Sequence, residues 1–213
     1  MPKNNPQEIQ FIYFDIGGVF LDWYGGFARV ARALMVPEQA VIDALAQFGR
    51  EIDLGGLTWD ELGQRLQKEH KSTHGFVSPL FKEFVAGFTT ISAAHQLAKD
   101  LEGKLKLGLL SDVELELFKH TSTQGKIPSV FFETKVISSE VGFVKPQPEI
   151  YEIAENRAGV VPEKIFFIDD KPENIAGALA RGWQGYVFDT NQPKKAVAEI
   201  RQLLTVPVQT LAK

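Results

Sequence analysis

Short runs of consecutive apolar residues alternate along the chain with segments in which apolar positions recur every three or four residues. The runs are rich in Ile, Val and Phe and do not alternate with polar residues, which is typical of strands buried on both faces of a parallel sheet. Regular alternation of such strands with helices predicts a doubly wound α/β fold. The predicted strands are Gln10–Ile16, Leu105–Leu110, Val130–Phe132, Lys135–Ile137, Lys164–Ile168 and Gln184–Phe188, and the predicted helices are Ala93–Leu101, Val113–Thr121, Pro148–Ala158, Pro172–Arg181 and Lys194–Leu203.

The segment from about Tyr24 to about Phe88 departs from this alternation, because it shows helical patterns and no convincing strand. A helix over Pro37–Phe48 follows a proline, and Thr58–Glu61 has the S/T-x-x-E form of a capping box that opens a helix through Leu66. We therefore expect a small all-α cap domain inserted after the first strand. The predicted boundaries are 21–88 for the cap and 1–20 with 89–213 for the α/β core.

Composition and charge narrow the function classes. The chain has no cysteine, which excludes disulfides, thiolate catalysis and cysteine-ligated metals. A net charge of −4 argues against a nucleic-acid partner or an anionic membrane surface. No apolar run approaches the ~20 residues of a membrane span, and the polar start lacks the apolar centre of a signal peptide. We expect a cytoplasmic protein, a monomer or homodimer, without membrane or nucleic-acid partners.

Polar side chains of types that take part in catalysis or metal binding follow several predicted strands. Asp15 ends the first strand in FIYFDIGGVFLD, Ser111 follows a strand in LGLLSDVE, Lys145 stands in VGFVKPQPEIY, and the adjacent Asp169 and Asp170 end the strand in IFFIDDKPENIAGA. Taken singly, these residues suit turns, helix caps or a solvated surface, although two adjacent acids at one edge need a cation nearby. Since the carboxyl ends of parallel strands form one crevice, all five are predicted to converge there.

The order of these residues resembles the haloacid dehalogenase-like (HAD) hydrolase superfamily, whose members are mostly phosphatases. The resemblance covers nearly the whole chain and implies a Rossmann-like core with a cap inserted after the first motif. It implies that Asp15 is the nucleophile that takes up the phosphoryl group as an aspartyl-phosphate. Ser111 would bind a phosphoryl oxygen, and Lys145 would offset the negative charge of nucleophile and phosphate.

The resemblance also implies a metal cofactor and a substrate class. Mg²⁺ would be held by Asp15, Asp170 and the backbone carbonyl of Gly17, since hard oxygen ligands suit this ion. Asp169 would either support the metal ligands or pair with the lysine, and Asn174 would hold a metal-bound water. The expected partner is a small phosphorylated metabolite.

The sequence departs from the family pattern at two positions. Gly17 stands where phosphatases of the superfamily generally carry a second Asp that serves as general acid and base, and Asp112 follows Ser111 where Asn is common. Glycines after Asp15 allow a sharp turn that brings backbone N–H groups close to an anion. The predicted substrate-binding residues are Gly17, Gly18, Ser111, Asp112 and Lys145.

Three functions are compatible with this pattern. The first is a phosphatase whose substrates have good leaving groups, or which recruits an acid from the cap or the substrate. The second is a 2-haloacid dehalogenase, which also lacks the second acid and needs no metal, although such enzymes lack the acid pair and usually carry Thr at Val19. The third is a catalytically weak protein that binds a phosphorylated ligand.

Overall fold

The structure is a computed structural model that describes residues 9–205, with only the backbone of Thr205. The outer parts of the predicted core, 1–8 and 206–213, lie outside this range. In chain order the strands are β1 (Phe11–Phe14), β2 (Leu21–Asp22), β3 (Thr89–Thr90), β4 (Lys106–Ser111), β5 (Thr134–Ile137), β6 (Ile165–Asp169) and β7 (Gln184–Val187). The α-helices are α1 (Tyr24–Leu34), α2 (Glu38–Asp53), α3 (Trp59–Glu69), α4 (Phe81–Ala86), α5 (Ser92–Leu101), α6 (Leu115–Thr123), α7 (Ser138–Val141), α8 (Pro148–Ala158), α9 (Pro172–Ala180) and α10 (Pro193–Thr205).

Five parallel strands form the main sheet in the order β5-β4-β1-β6-β7, which confirms the predicted α/β fold class. The central strand β1 is fully buried because helices cover both faces of the sheet. On one face, Tyr13, Tyr151, Phe167 and Trp183 pack against one another. The other face supports a larger apolar core that continues into α1–α4.

The predicted strand Val130–Phe132 is wrong, since no strand forms there and β5 begins at Thr134. The Val130 N–H turns back to the carbonyl of Pro128, and the Phe131 N–H donates to the Glu102 carboxylate at 2.6 Å. These hydrogen bonds replace the pairing with a neighbouring strand that the prediction required. Phe132 is consequently buried while Phe131 is 71% exposed.

Four helices, α1–α4, connect β2 to β3, and we call residues 24–86 the helical segment. The predicted capping box forms, because the Thr58 hydroxyl accepts from the Glu61 N–H while the Glu61 carboxylate accepts from the Thr58 N–H. The antiparallel pair β2–β3 was not predicted, since two residues are too short to show a pattern. Among the described helices, none is long and apolar enough to cross a bilayer.

The two ends of the helical segment touch through a pair of glycines. A Cβ on Gly87 would lie 2.4 Å from backbone atoms of Gly25 and Gly26, and a Cβ on Gly25 would lie 2.5 Å from the carbonyl oxygen of Gly87. Backbone cannot move aside as a flexible side chain does. The start of α1 and the end of α4 therefore approach closely only because both residues lack a side chain.

We expect Gly87→Ala to lower the free energy of unfolding by about 1–3 kcal/mol, since the added methyl group overpacks a backbone contact. The matched control is Gly49→Ala inside α2, where a Cβ would meet no atom within 4 Å. That change is expected to raise stability by ~0.5–1 kcal/mol, because alanine loses less backbone entropy than glycine in a helix. Urea unfolding of both variants measures the difference. Equal stability of the two variants would contradict the close-contact interpretation.

Candidate active site

Three neighbouring strands deliver polar side chains to one edge of the sheet. The strands β4, β1 and β6 are adjacent, and their carboxyl ends carry Ser111, Asp15 and Asp169. The register aligns Phe14 with Leu109 and with Ile168, so the three ends lie level. These polar side chains are buried, and the predicted convergence of strand-end residues is what the structure shows.

The Lys145 ammonium lies between two of these carboxylates. Its Nζ is 3.1 Å from Asp15 Oδ1 and 2.7 Å from Asp169 Oδ2, and it donates to the carbonyl of Leu110 at 3.1 Å. Burial alone would lower the pKa of Lys145, but Asp15, Asp169 and Asp112 outweigh it and hold that pKa well above its usual value. These carboxylates therefore hold the lysine in its charged form.

The nucleophile candidate Asp15 is less strongly held in its charged form. Burial raises the pKa of Asp15 to about 7, and repulsion from Asp169 and Asp170 adds to this effect while Lys145 opposes it. Asp15 Oδ1 also accepts from the N–H of Ile16 at 2.7 Å. One lysine does not neutralise three carboxylates, so the cluster has room for a further cation.

Asp169 is fully occupied by protein donors. Its Oδ1 accepts from the Lys171 N–H at 2.8 Å, its Oδ2 accepts from Lys145, and the Asn174 amide donates to both oxygens at 3.0 Å. Of the two predicted roles for Asp169, the structure supports pairing with the lysine and does not favour metal ligation. Asn174 orients Asp169 rather than facing the cavity, which departs from its predicted role at a metal-bound water.

Gly18 leaves the space that Asp170 fills. Its φ is +72°, and a Cβ there would lie 2.2 Å from the Asp170 Cγ. Its N–H donates to the Leu21 carbonyl at 2.8 Å, and its carbonyl accepts from the Thr190 hydroxyl at 2.6 Å. Gly18 thus positions the carboxylate of Asp170 and does not line the cavity, so its predicted contact with substrate is not what its geometry offers.

The donor set fits a hard divalent cation. Carboxylate oxygens of Asp15, Asp169 and Asp170 lie within 4.8 Å of one another, and the pKa of Asp170 is raised by burial and by Asp169. With Asp169 occupied, the free oxygens are those of Asp15 and Asp170. Mg²⁺ suits such a site because it takes one or two carboxylates and keeps several waters.

Comparisons with known proteins identify the family and the fold. Residues 9–182 match the family model of the haloacid dehalogenase-like hydrolases. The chain belongs to this family. It is 23% identical over 217 aligned positions to a phosphorylated carbohydrates phosphatase of Thermotoga maritima, covering 95% of this chain and 97% of that protein.

Solved structures share the fold of this HAD-like hydrolase. One is a HAD-like family hydrolase from Porphyromonas gingivalis, with a TM-score of 0.74 and 21% identity over 94% of this chain and all of the other. Another is a HAD family enzyme from Bacteroides thetaiotaomicron in complex with magnesium and inorganic phosphate, with a TM-score of 0.68 and 20% identity over 85% of this chain and 95% of that chain.

The two departures from the family pattern have different environments in this HAD-like hydrolase. Asp112 turns to the backbone and accepts from the Lys145 N–H at 3.0 Å, and burial raises its pKa. At Gly17 the space is open, since a Cβ would meet only the Trp23 Nε1 at 3.8 Å. A Cβ at this position is therefore not excluded by packing.

A cavity of about 580 Å³ lies over the strand ends, with Asp15, Ser111 and Lys145 on its floor. This volume suits a small-molecule ligand. Much of the wall comes from the helical segment and from Trp23 just before it. The residues of the helical segment include Tyr24, Ile42, Leu45, Arg50 and Asp53, and residues after β4 and in α6 complete the wall. Sequence reasoning missed Arg50 and Asp53 because it ended the helix at Phe48. An acid in the last turn of a helix opposes the helix dipole, and that signal could have identified Asp53.

We expect Lys145→Met to lower the free energy of unfolding by about 3–5 kcal/mol, since it leaves two buried carboxylates without their cation. The double variant Lys145→Met/Asp169→Asn is expected to recover part of this loss. Lys119→Met serves as the control, because the exposed Lys119–Glu116 pair contributes little. Urea unfolding of the four proteins tests the prediction, and a loss no larger than that of Lys119→Met would show that the buried lysine is not needed for stability.

Proposed function

We propose that this protein is a Mg²⁺-dependent phosphatase of small phosphorylated metabolites that reacts through an aspartyl-phosphate on Asp15. The observation that carries the proposal is the buried Lys145 ammonium 3.1 Å from Asp15 Oδ1, at the floor of a cavity whose wall comes from the helical segment. The lysine screens the carboxylate from the phosphate dianion, which would otherwise repel it. We further propose that the helical segment, within the predicted bounds 21–88, is a cap domain.

In the first step an oxygen of Asp15 attacks phosphorus and the bond from phosphorus to the leaving oxygen breaks, which gives an alcohol after protonation and an aspartyl-phosphate. In the second step water attacks phosphorus, the bond to Asp15 breaks, and inorganic phosphate leaves. Ser111, which is 2% exposed at the cavity floor, is placed to bind a phosphoryl oxygen. Asp15, Asp170 and the Gly17 carbonyl would hold Mg²⁺, which would supply further positive charge for the phosphoryl oxygens.

The names of relatives support this class of reaction. The Thermotoga maritima relative is a phosphatase of phosphorylated carbohydrates, and its likeness spans nearly both chains. The Bacteroides thetaiotaomicron neighbour holds magnesium and inorganic phosphate. We carry the ion and the phosphorylated substrate to this chain as part of the proposal, because its own strand-end residues fit both.

Hydrolysis of p-nitrophenyl phosphate is expected to stop with excess chelator and to return with Mg²⁺. Asp15→Asn should remove turnover while the protein stays folded, because the amide is isosteric but a poor nucleophile. Beryllium fluoride, which mimics a phosphoryl group on the carboxylate, should raise the melting temperature of the wild type only. Asp43→Asn on an exposed face of α2 is the matched control.

Full activity in excess chelator would end the metal-dependent proposal and favour the dehalogenase alternative. A fully active Asp15→Asn variant would place the chemistry elsewhere. Binding of beryllium fluoride without turnover of any phosphate ester would instead favour a weakly catalytic protein that holds a phosphorylated ligand.

Gly17→Asp is expected to raise turnover of alkyl phosphates by ~10-fold or more, within the range of general acid catalysis. A Cβ at this position would meet no atom closer than the Trp23 Nε1 at 3.8 Å, and Gly17 has no positive φ that would strain another residue. Aryl phosphates should change far less, since p-nitrophenolate leaves without protonation. Steady-state kinetics with both ester types, together with the melting temperature, measure the effect. If a well-folded variant accelerates neither ester, or both equally, proton donation is not what the site lacks.

A further inference from the structure

The carboxyl group of Asp53, in the cavity wall, lies where its surroundings disfavour a negative charge. Asp53 is the last residue of α2, where the negative end of the helix dipole repels an acid. Among the residues that the structure describes, none donates a hydrogen bond to its carboxyl group. A partly buried acid without such donors costs stability, so its position calls for a functional explanation.

The position of Asp53 is fixed relative to the phosphate-binding strand end. Its backbone carbonyl accepts from the Ser138 hydroxyl at 2.5 Å. The same hydroxyl oxygen accepts from the N–H of Val113 at 2.9 Å, two residues after Ser111. Ser138 is fully buried. The end of α2 is thus tied to the core through a side chain that also holds the loop after β4.

The other carboxyl groups of the cavity are already engaged. Asp15 is the proposed nucleophile, and Asp170 is a proposed metal ligand. Asp112 accepts from the backbone of Lys145, and Glu114 caps α6 by accepting from the N–H groups of the residues two and three positions on. Of the described carboxyl groups that line this cavity, Asp53 alone faces it without a partner or another role.

The charges around Asp53 favour its neutral form. Burial raises the pKa of Asp53 to about 7, and Asp112 adds to the increase while Lys171 and Lys145 oppose it. Arg50, one turn earlier on the same helix, also lines the cavity. At neutral pH the group is present in both forms, which suits a residue that gives up and regains a proton in each turnover.

We propose that Asp53 protonates the leaving oxygen of the substrate and so replaces the acid that Gly17 does not provide. The inference rests on the proposed phosphatase function. As Asp15 attacks phosphorus and the bond to the leaving oxygen breaks, the Asp53 carboxyl proton passes to that oxygen and Asp53 becomes a carboxylate. In the second step the carboxylate takes a proton from the attacking water, phosphorus gains that oxygen, and the bond to Asp15 breaks. Both residues return to their starting forms.

The test compares turnover of an alkyl phosphate with that of p-nitrophenyl phosphate in the wild type and in Asp53→Asn. Because an alkoxide needs a proton and p-nitrophenolate does not, Asp53→Asn should lower the alkyl-to-aryl ratio of kcat by ~10-fold or more. Asp43→Asn, the same change on an exposed part of α2, should leave the ratio unchanged. An Asp53→Asn variant with an unchanged ratio, or with equal losses for both esters, would overturn the proposal, since a structural role would affect both.

The pH dependence gives a second readout that needs no variant. The folded pKa of Asp53, about 7, lies above the ordinary value of 3.8, so the donor form is present below pH 7 and is lost above it. The alkyl-to-aryl ratio of the wild type should therefore fall as pH rises through about 7. Ionisation of Asp15 or of the phosphate affects both esters and largely cancels in the ratio. A ratio that is flat between pH 5 and 9 would overturn the proposal.

Rescue separates this inference from the function on which it rests. Gly17→Asp should restore the ratio in Asp53→Asn and should raise it by a larger factor there than in the wild type, because the two carboxyl groups serve the same proton. Equal gains in both backgrounds would contradict a shared role. If the wild type shows no aryl-phosphate turnover that depends on Asp15, the phosphatase proposal itself is overturned. If such turnover is present but Asp53→Asn leaves the alkyl-to-aryl ratio unchanged, only the role of Asp53 is overturned.

Discussion

The ammonium of Lys145 between Asp15 and Asp169 is the interaction on which the site depends. The neighbouring parallel strands β1 and β6 bring carboxylates to one edge, where their mutual repulsion in a dry environment opposes folding. A single buried cation, fixed by the carbonyl of Leu110 as well as by both acids, makes that arrangement tolerable. The same cation leaves Asp15 only partly compensated, which is the condition for both metal binding and nucleophilic attack.

The sequence was informative about the floor of the site because β-sheet geometry carries the inference. Once Asp15, Ser111 and Asp169 are placed at the ends of buried parallel strands, their convergence follows without knowledge of any side-chain contact. The same reasoning could not assign partners. Asn174 and Lys171 donate hydrogen bonds to Asp169, and Asp170 fills the space that Gly18 leaves. Both arrangements depend on distances of a few ångströms that no sequence pattern encodes.

The wall of the cavity was harder to predict for a different reason. Its residues come from helices whose apolar positions fix which face is buried but not where on the core that face lies. Asp53 is a clear example, since its position relative to the core depends on the long-range hydrogen bond that its carbonyl accepts from Ser138. The strand prediction at Val130–Phe132 was wrong for another reason. The run has the composition of a strand, but the hydrogen bonds of Val130 and Phe131 go to Pro128 and Glu102 and not to a neighbouring strand.

The open space beside Gly17 has a consequence for how easily this site could change. Every glycine codon becomes the codon of an acidic residue through one base substitution at its second position. Neither the backbone conformation of Gly17 nor its surroundings, with Trp23 Nε1 at 3.8 Å as the nearest obstacle, stands in the way of that substitution. The glycine form and the acid form of the site are therefore a single base substitution apart.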